Sequence, residues 1–460
     1  MTPLPSQDKE SLRAPSPRAT ASRWEIFGWC MFDFANSSFT TVIVTVVFAV
    51  YFTKVICYGR DDADWLWGLA QAVSQGVVLV LAPFLGALAD FSGAKKRFLM
   101  CSWVACCLAT ALLYVPRPGQ VSLAFVLFVF ANIAFSAGEN FNASFLPELA
   151  TPEDTGKVSG YGWALGYLGG LLALLLCSPF TTQGFTVGNA PNLRFTCIIT
   201  GLFFFLAGIP TMLLLKERGI PEPLAPGERM LTIGFRRVTR TLREIRRFRQ
   251  LFRFLFVFAI YNTGLCAVTA FVSIYAEKTV GFNSTELSML FILLQISCAV
   301  GAFALGFFQD RFGAKAALSL SLVIWIVVCI GASATTDKAV FFLVGNLAGL
   351  ALGSSQSGAR ALVALMAPPS RSAEFFGFWG LFWKFSSALG PLVFGVLSSA
   401  LSAAHGVGNG QRLTVLANSG LFLIGLILLQ FIDVKEGREA AVKGTGATSQ
   451  EPVGISIRQA

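Results

Sequence analysis

Gly86-Ala87-Leu88-Ala89-Asp90-Phe91-Ser92-Gly93-Ala94-Lys95 and Gly306-Phe307-Phe308-Gln309-Asp310-Arg311-Phe312-Gly313-Ala314-Lys315 carry one motif twice. Gly86 and Gly306, Asp90 and Asp310, Gly93 and Gly313, and Lys95 and Lys315 are each 220 residues apart. One such match is weak. Four at a single offset imply an internal duplication, and each copy ends one apolar segment and begins another.

Composition says where such a chain resides. Hydrophobic residues make up 55% of the 460, charged residues 13%, and mean hydropathy is +0.67. Soluble domains carry about 25% charged residues, so much of this surface must face lipid. Apolar runs of about 20 residues, long enough to cross a bilayer, fall near 27–53, 65–89, 98–115, 121–146, 160–178, 195–215, 251–276, 287–308, 316–334, 339–363, 375–399 and 413–433. The expectation is an all-α membrane protein of twelve transmembrane helices in two six-helix pseudo-repeats. Its divisions are a disordered tail over 1–23, a first bundle over 24–215, a linker over 216–250, a second bundle over 251–433 and a disordered tail over 434–460.

Lys and Arg set the orientation. Lys9, Arg13, Arg18 and Arg23 precede the first span, Lys95, Lys96 and Arg97 fill the first motif hairpin, and 216–250 holds ten Lys or Arg against four Glu. All three clusters fall on one side, which places both termini and the linker in the cytoplasm. The net charge of +10 reflects that bias, and no aromatic-interleaved basic groove points to nucleic acid. Within the linker, Phe235, Val238, Leu242, Ile245 and Phe248 recur at helical steps among Arg236, Arg237, Arg240, Arg243 and Arg247. That pattern predicts a basic amphipathic helix on anionic lipid. The first 23 residues lack the apolar run of a signal peptide. Ten cysteines and one histidine make no metal-ligand spacing, so neither a metal nor a cofactor is expected, and Cys57 is the thiol expected nearest solvent.

Four charges stand inside predicted spans: Asp33, Glu139, Arg360 and Lys384. Each costs on the order of 3 kcal/mol near the bilayer centre on insertion scales, and so should face a cavity or a partner. Polar stripes accompany them: Asp33, Asn36, Ser37 and Thr40; Asn132, Ser136, Glu139 and Asn140; Asn262, Cys266, Thr269 and Ser273; Asn346, Gln356 and Arg360. Such edges gain nothing from lipid and should converge on an aqueous cavity between the halves. The candidate substrate and coupling residues are Asp33, Asn36, Glu139, Asn140, Asn262, Gln356, Arg360 and Lys384. The bland alternatives are helix-to-helix hydrogen bonds for the amides and static ion pairs, Asp33 with Lys384 or Glu139 with Arg360. The duplicated hairpin reads as a gating latch of Gly86, Asp90, Gly93 and Lys95 and of Gly306, Asp310, Arg311, Gly313 and Lys315, with Lys95–Arg97 held at the anionic leaflet.

The hairpin resembles the signature loop of the major facilitator superfamily, with Phe91 where that family often has Arg. Gly28-Trp29-x-x-Phe32-Asp33-Phe34-Ala35-Asn36-Ser37 resembles the first-helix pattern of its vacuole-effluxer-like branch, as do Gly166-Tyr167-Leu168-Gly169-Gly170 and Glu374-Phe375-Phe376-Gly377 with Lys384 and Gly390-Pro391. The resemblance implies a secondary carrier using alternating access. It implies amino-acid export; acids and bases sharing one cavity suit a small polar solute such as an amino acid or related zwitterion, and a buried carboxyl suits proton coupling. Compact loops point to a bacterial inner membrane. The fourth helix lacks the Arg, and the fifth the Gly-Pro element, of the proton-antiporter signature. A carrier of sugars, peptides or drugs and a non-transporting receptor or scaffold on the same fold remain alternatives. An enzyme ranks lowest, because no nucleophile–base pair, metal cluster or phosphate loop is present.

Overall fold

The structure is a computed structural model that describes residues 21–222 and 230–446. The expected N-terminal tail up to residue 20, the linker residues 223–229 and the C-terminal residues from 447 lie outside the described residues. The chain forms α1 (Arg23–Ile56), α2 (Ala63–Ser92), α3 (Lys95–Leu112), α4 (Val121–Leu149), α5 (Thr155–Cys177) and α6 (Ala190–Leu214). The linker helix α7 (Met230–Arg243) follows. Then come α8 (Arg249–Tyr275), α9 (Ser284–Phe312), α10 (Ala314–Ala334), α11 (Lys338–Met366), α12 (Ser372–His405), α13 (Val407–Gln430) and α14 (Val434–Gly446). Eleven of these helices are long and apolar enough to cross a membrane. The expected third span, α3, is 18 residues long with Lys95, Lys96 and Arg97 in its first turn, and it packs between α4 and α6.

The duplication is visible in packing. In the first half α1 packs on α5 and α6, α3 on α4 and α6, and α2 on α4; in the second α8 packs on α12 and α13, α10 on α11 and α13, and α9 on α11. The seams between halves repeat as well: α2 against α12, α5 against α9, α5 against α11 and α4 against α12. Large apolar side chains such as Val80, Leu213, Leu343 and Leu392 lie exposed on the outer faces, where a hydrocarbon solvent is the natural environment.

Local chemistry sets the helix ends. Gly93 takes φ 60° and ends α2 in the left-handed conformation that glycine adopts without a Cβ penalty. Asn283 caps α9 in a capping box with Glu286, and Asp337 accepts the Val340 N–H at 2.9 Å to cap α11. Pro83, Pro210 and Pro391 sit within spans. The first span is not α-helical throughout: Phe39–Val46 and Phe52–Ile56 are wound as π-helix, and the corresponding helix of the second half ends in another π stretch, Ala276–Val280.

Backbones meet closely at the linker-side end, where α1 begins. A Cβ on Gly86 would collide with the Ala373 carbonyl of α12, and one on Gly377 would lie 2.6 Å from the Ala82 carbonyl oxygen. The other seam repeats this, with Gly306 set against the Gly156 carbonyl. Gly86→Val should therefore wedge the linker-side seam apart. In a background with Cys101 replaced by Ser, spin labels at Glu153 and Arg438, across the halves, should report a longer distance than in the parent. An unchanged distance would show that the close approach does not govern closure.

Three expectations need correction. Cys57 is buried, because its turn is packed down and Ile56 accepts the Gly119 N–H at 2.9 Å; the exposed thiol is Cys101 on α3. The segment from 434, expected as disordered, forms α14 over its first 13 residues. This helix docks beneath α11 and α8, with Glu436 accepting from Gln250 and Arg249. Finally, α7 is amphipathic as expected but is docked on protein: it packs along α2, Ile233 and Thr241 are buried, and the Phe235 ring lies 5.1 Å from that of Phe84. Phe248 is buried against Phe375, while Leu242 is a position whose side chain is outside the description.

Candidate functional site

Each aspartate of the duplicated motif reaches across to the other half. Asp90 Oδ2 accepts the Glu374 N–H at 2.8 Å and Oδ1 the Ala373 N–H at 3.2 Å, at the start of α12. Asp310 accepts the Gly156 and Lys157 N–H groups at 2.8 and 3.1 Å, at the start of α5. A carboxylate is well placed there, since unpaired N–H groups and the helix dipole both favour negative charge. Lys95 is buried, in contact with Glu148 and donating to Ser372 Oγ at 2.9 Å, which corrects its expected place at the lipid surface. The second copy is looser: Lys315 Nζ caps the Gln430 and Ile432 carbonyls within its own half, and Arg311 lies over the Phe312 ring instead of joining the cross-half contact. Gly313, with φ 93°, makes the turn between α9 and α10. Where the first copy has Phe91, Arg237 of the linker stands 5.2 Å above that ring.

The linker fastens the same end. Glu374 is held by Arg371 at 3.1 Å and contacted by Thr241, and Arg371 also bonds Glu244 at 2.8 Å. Burial would raise the Glu244 carboxyl, but Arg371 and Arg240 outweigh it and hold the group below its ordinary value. Its contribution to folding is therefore present above the unfolded value and is lost only as pH falls through the depressed one. We expect Asp90→Asn to weaken this closed end without unfolding the protein, read as increased labelling of a cysteine placed at Ser159. Unchanged labelling would reduce the hairpin to a topology-setting turn.

Deeper in the fold the four membrane charges come together as two cross-half pairs. Arg360 of α11 donates to Asp33 of α1 at 2.6 Å, to Ser159 Oγ at 3.2 Å and to the Ser159 carbonyl at 2.8 Å. Its guanidinium centre lies 4.7 Å from the Trp29 ring and 5.4 Å from that of Trp163. Asn142 Nδ2 completes Asp33 at 3.0 Å, and the Trp29 indole N–H fixes the Asn142 carbonyl at 2.7 Å. The side chain of Arg360 is 4% exposed and that of Asp33 14%, so access to this pair is from the aspartate. The second pair is Glu139 of α4 with Lys384 of α12. They interact electrostatically but form no direct ion pair among the described residues. The direct pair is thus Asp33 with Arg360, in place of Asp33 with Lys384, while Glu139 lies within electrostatic reach of both Lys384 and Arg360 and closes an ion pair with neither among the described residues.

On α4, α5, α8, α11 and α12, polar atoms are buried and unpartnered: Asn140 Nδ2, Asn142 Oδ1, Asn262 Oδ1, the Tyr261 hydroxyl, Gln356 Oε1, Ser357 Oγ and the indole nitrogens of Trp163 and Trp379. Each unpaired buried group costs about 1–3 kcal/mol, so their gathering calls for a ligand or water. Asn140 abuts Gly380 of α12, and Asn262 donates to Cys266 Sγ at 3.7 Å. Trp163 and Trp383 stack in parallel across the halves at 6.0 Å. Asn36 lies buried on α1 but makes no side-chain hydrogen bond among the described residues. Asn140, Asn262, Gln356, Arg360 and Lys384 are buried, so the expected wide aqueous gap is closed over them in this conformation. A cavity of about 990 Å³ lies elsewhere, between α1 and α5 near the linker-side end.

The profile of the family described as "Vacuole effluxer Atg22 like" matches residues 67–442. The chain belongs to that vacuole effluxer Atg22-like family. This Atg22-like protein is similar to the uncharacterized MFS-type transporter YxiO of Bacillus subtilis, 27% identical over 417 residues that cover 88% of this chain and 94% of YxiO. Autophagy-related protein 22 of Yarrowia lipolytica is 22% identical over 472 residues, covering 83% and 77%. Among solved structures, the human organic anion transporter MFSD10 superposes with TM-score 0.69 at 15% identity, covering 89% of this chain and 99% of that one. The proton:xylose symporter XylE gives 0.69 at 14%, covering 91% and 98%. This Atg22-like protein is therefore a multi-pass membrane protein with the major facilitator fold.

Sequence reading missed Ser159, Asn142, Trp29 and Tyr261. Asn142 had a signal, three residues beyond Glu139 on one helix face. Ser159 had none, since its value comes from meeting Arg360 across the seam.

Proposed function

We propose that the protein is a secondary active carrier that moves a small zwitterion, an amino acid or close relative, by alternating access through twelve spans. The observation that carries this reading is the set of unpartnered buried polar atoms on the helices that bear Glu139, Arg360 and Lys384. Glu139 and Lys384 lie within electrostatic reach of each other without closing into a pair, as a solute bearing both an ammonium and a carboxylate requires. Lys384 takes the carboxylate, Glu139 the ammonium, and Asn140, Asn262 and Gln356 supply the remaining hydrogen bonds. Asp33 and Arg360 are the coupling pair: a proton on Asp33 would release Arg360 and with it the seam to Ser159. The aspartates at 90 and 310 hold the linker-side end shut in this conformation. Positive charge on the tail, first hairpin and linker supports a cytoplasmic linker side, the bacterial relative YxiO supports an inner membrane, and the effluxer family description supports export as the direction. Anionic lipid would meet the outward face of α7, where Arg240 and Arg243 are exposed.

Reconstitution into liposomes tests this. Vesicles loaded with amino acids, peptides, sugars and nucleosides under an imposed pH gradient should lose amino acids selectively, and the flux should collapse when the gradient is discharged. Selective movement of sugars or peptides would reassign the substrate. Saturable binding without flux would make the protein a receptor on a carrier fold.

A further inference from the structure

We propose that the groove between α1 and α5 is a binding site for phosphatidylethanolamine, a phospholipid bearing a primary ammonium. The cavity of about 990 Å³ is at the upper end of the roughly 300–1,000 Å³ typical of ligand sites. Ile26, Phe27, Cys30, Leu165 and Leu168 wall it, with Phe303 contributed by α9 of the other half. Phe27 and Leu168 are 43% and 44% exposed, so the groove opens sideways on a helix surface that faces hydrocarbon, and an acyl chain can enter without passing through water.

Its polar end selects the headgroup. The Glu148 side chain is 9% exposed; Lys95 holds one carboxylate oxygen, and the other, Oε2, is buried with no partner. An unpartnered carboxylate oxygen at the head of an apolar groove needs a hydrogen-bond donor that arrives with an apolar tail. Arg23 lines the same cavity, is exposed, and pairs with no carboxylate among the described residues. Beside it Trp24 is 71% exposed, as a side chain at headgroup depth would be. Lys157 and Asp154 at the rim satisfy each other. The Arg23 cation and the open Glu148 oxygen match a phosphate and an ammonium. Phosphatidylcholine offers no N–H to Glu148, and phosphatidylglycerol offers no cation. Because the groove draws walls from both halves, an occupant would favour the conformation closed at the linker-side end.

Delipidated full-length protein in detergent provides the test, with native mass spectrometry and thermal melting read against added phosphatidylethanolamine, phosphatidylcholine and phosphatidylglycerol. Phosphatidylethanolamine should be retained and should raise the melting temperature more than either of the others. Glu148→Gln should cut its preference over phosphatidylcholine roughly tenfold, the worth of one charge-assisted hydrogen bond. Because that change also removes the charge facing Lys95, Leu165→Trp serves as a second variant: it fills the groove and should abolish retention of all three lipids. Deleting residues 1–20 should leave the preference intact. Equal binding of phosphatidylethanolamine and phosphatidylcholine, retention in the Leu165→Trp protein, or a preference that disappears with residues 1–20 would overturn the site. These readouts do not depend on flux, so they stand or fall apart from the carrier assignment.

Discussion

Arg360→Met should abolish uphill flux and destabilise the folded protein by about 3–5 kcal/mol, the usual cost of removing one partner from a buried ion pair. The loss is large because Arg360 serves three groups at once. It neutralises Asp33, satisfies both Ser159 oxygens, and lies over the Trp29 and Trp163 rings. Without it Asp33 keeps only the Asn142 amide. The double change Asp33→Asn with Arg360→Met should recover most of the lost melting temperature, since replacing both members of such a pair is often nearly neutral. It should not recover uphill flux, because the carboxylate that answers Arg360 would no longer titrate. If the double variant still concentrates solute against its gradient, the pair is structural and coupling resides elsewhere.

Glu139→Gln and Lys384→Met should each reduce flux by more than roughly 100-fold while leaving melting nearly unchanged. A hydrogen bond to a charged group contributes about 1.5–3 kcal/mol, and the loss of a whole ion contact to substrate adds to it. Stability should be spared because neither side chain closes a direct pair in this conformation: Glu139 is half-buried, and the Lys384 ammonium is balanced only at a distance. The substrate range separates the two. Glu139→Gln should retain affinity for a carboxylate that lacks an ammonium, and Lys384→Met should retain affinity for an amine that lacks a carboxylate, both measured by competition against the labelled zwitterion. Identical competition profiles in the two variants would sink the assignment of opposite charges to opposite ends of the solute.

The repeat offset of 220 residues was enough to read the fold, because apolar run length and a duplicated hairpin are properties of the linear chain. The charges were legible as well: an ionised group in a span is conspicuous by its cost. Which acid meets which base was not. Asp33 lies 327 positions from Arg360, and that meeting is set by the angle between two halves that local pattern does not encode. Lys95 failed for a related reason. Beside Lys96 and Arg97 it reads as one more basic loop residue, yet Glu148 and Ser372 approach from distant segments and bury it. The helix over 434–446 has a weakly apolar pattern, and its order comes from docking under the second half.

The π-wound stretches in the first helix of each half add a freedom of their own. A π turn is an α turn with one residue too many, and returning it to regular winding rotates everything beyond it by about 100°. Phe39–Val46 is placed so that the remainder of its helix, away from the linker, can be swivelled in this way, whereas Ala276–Val280 closes its helix, where the same change would re-aim the loop that follows. Asp33, at the base of the first of these helices, keeps its position. The distant mouth can then be reshaped by corkscrew motion within a single rod, one that leaves the charged layer below undisturbed.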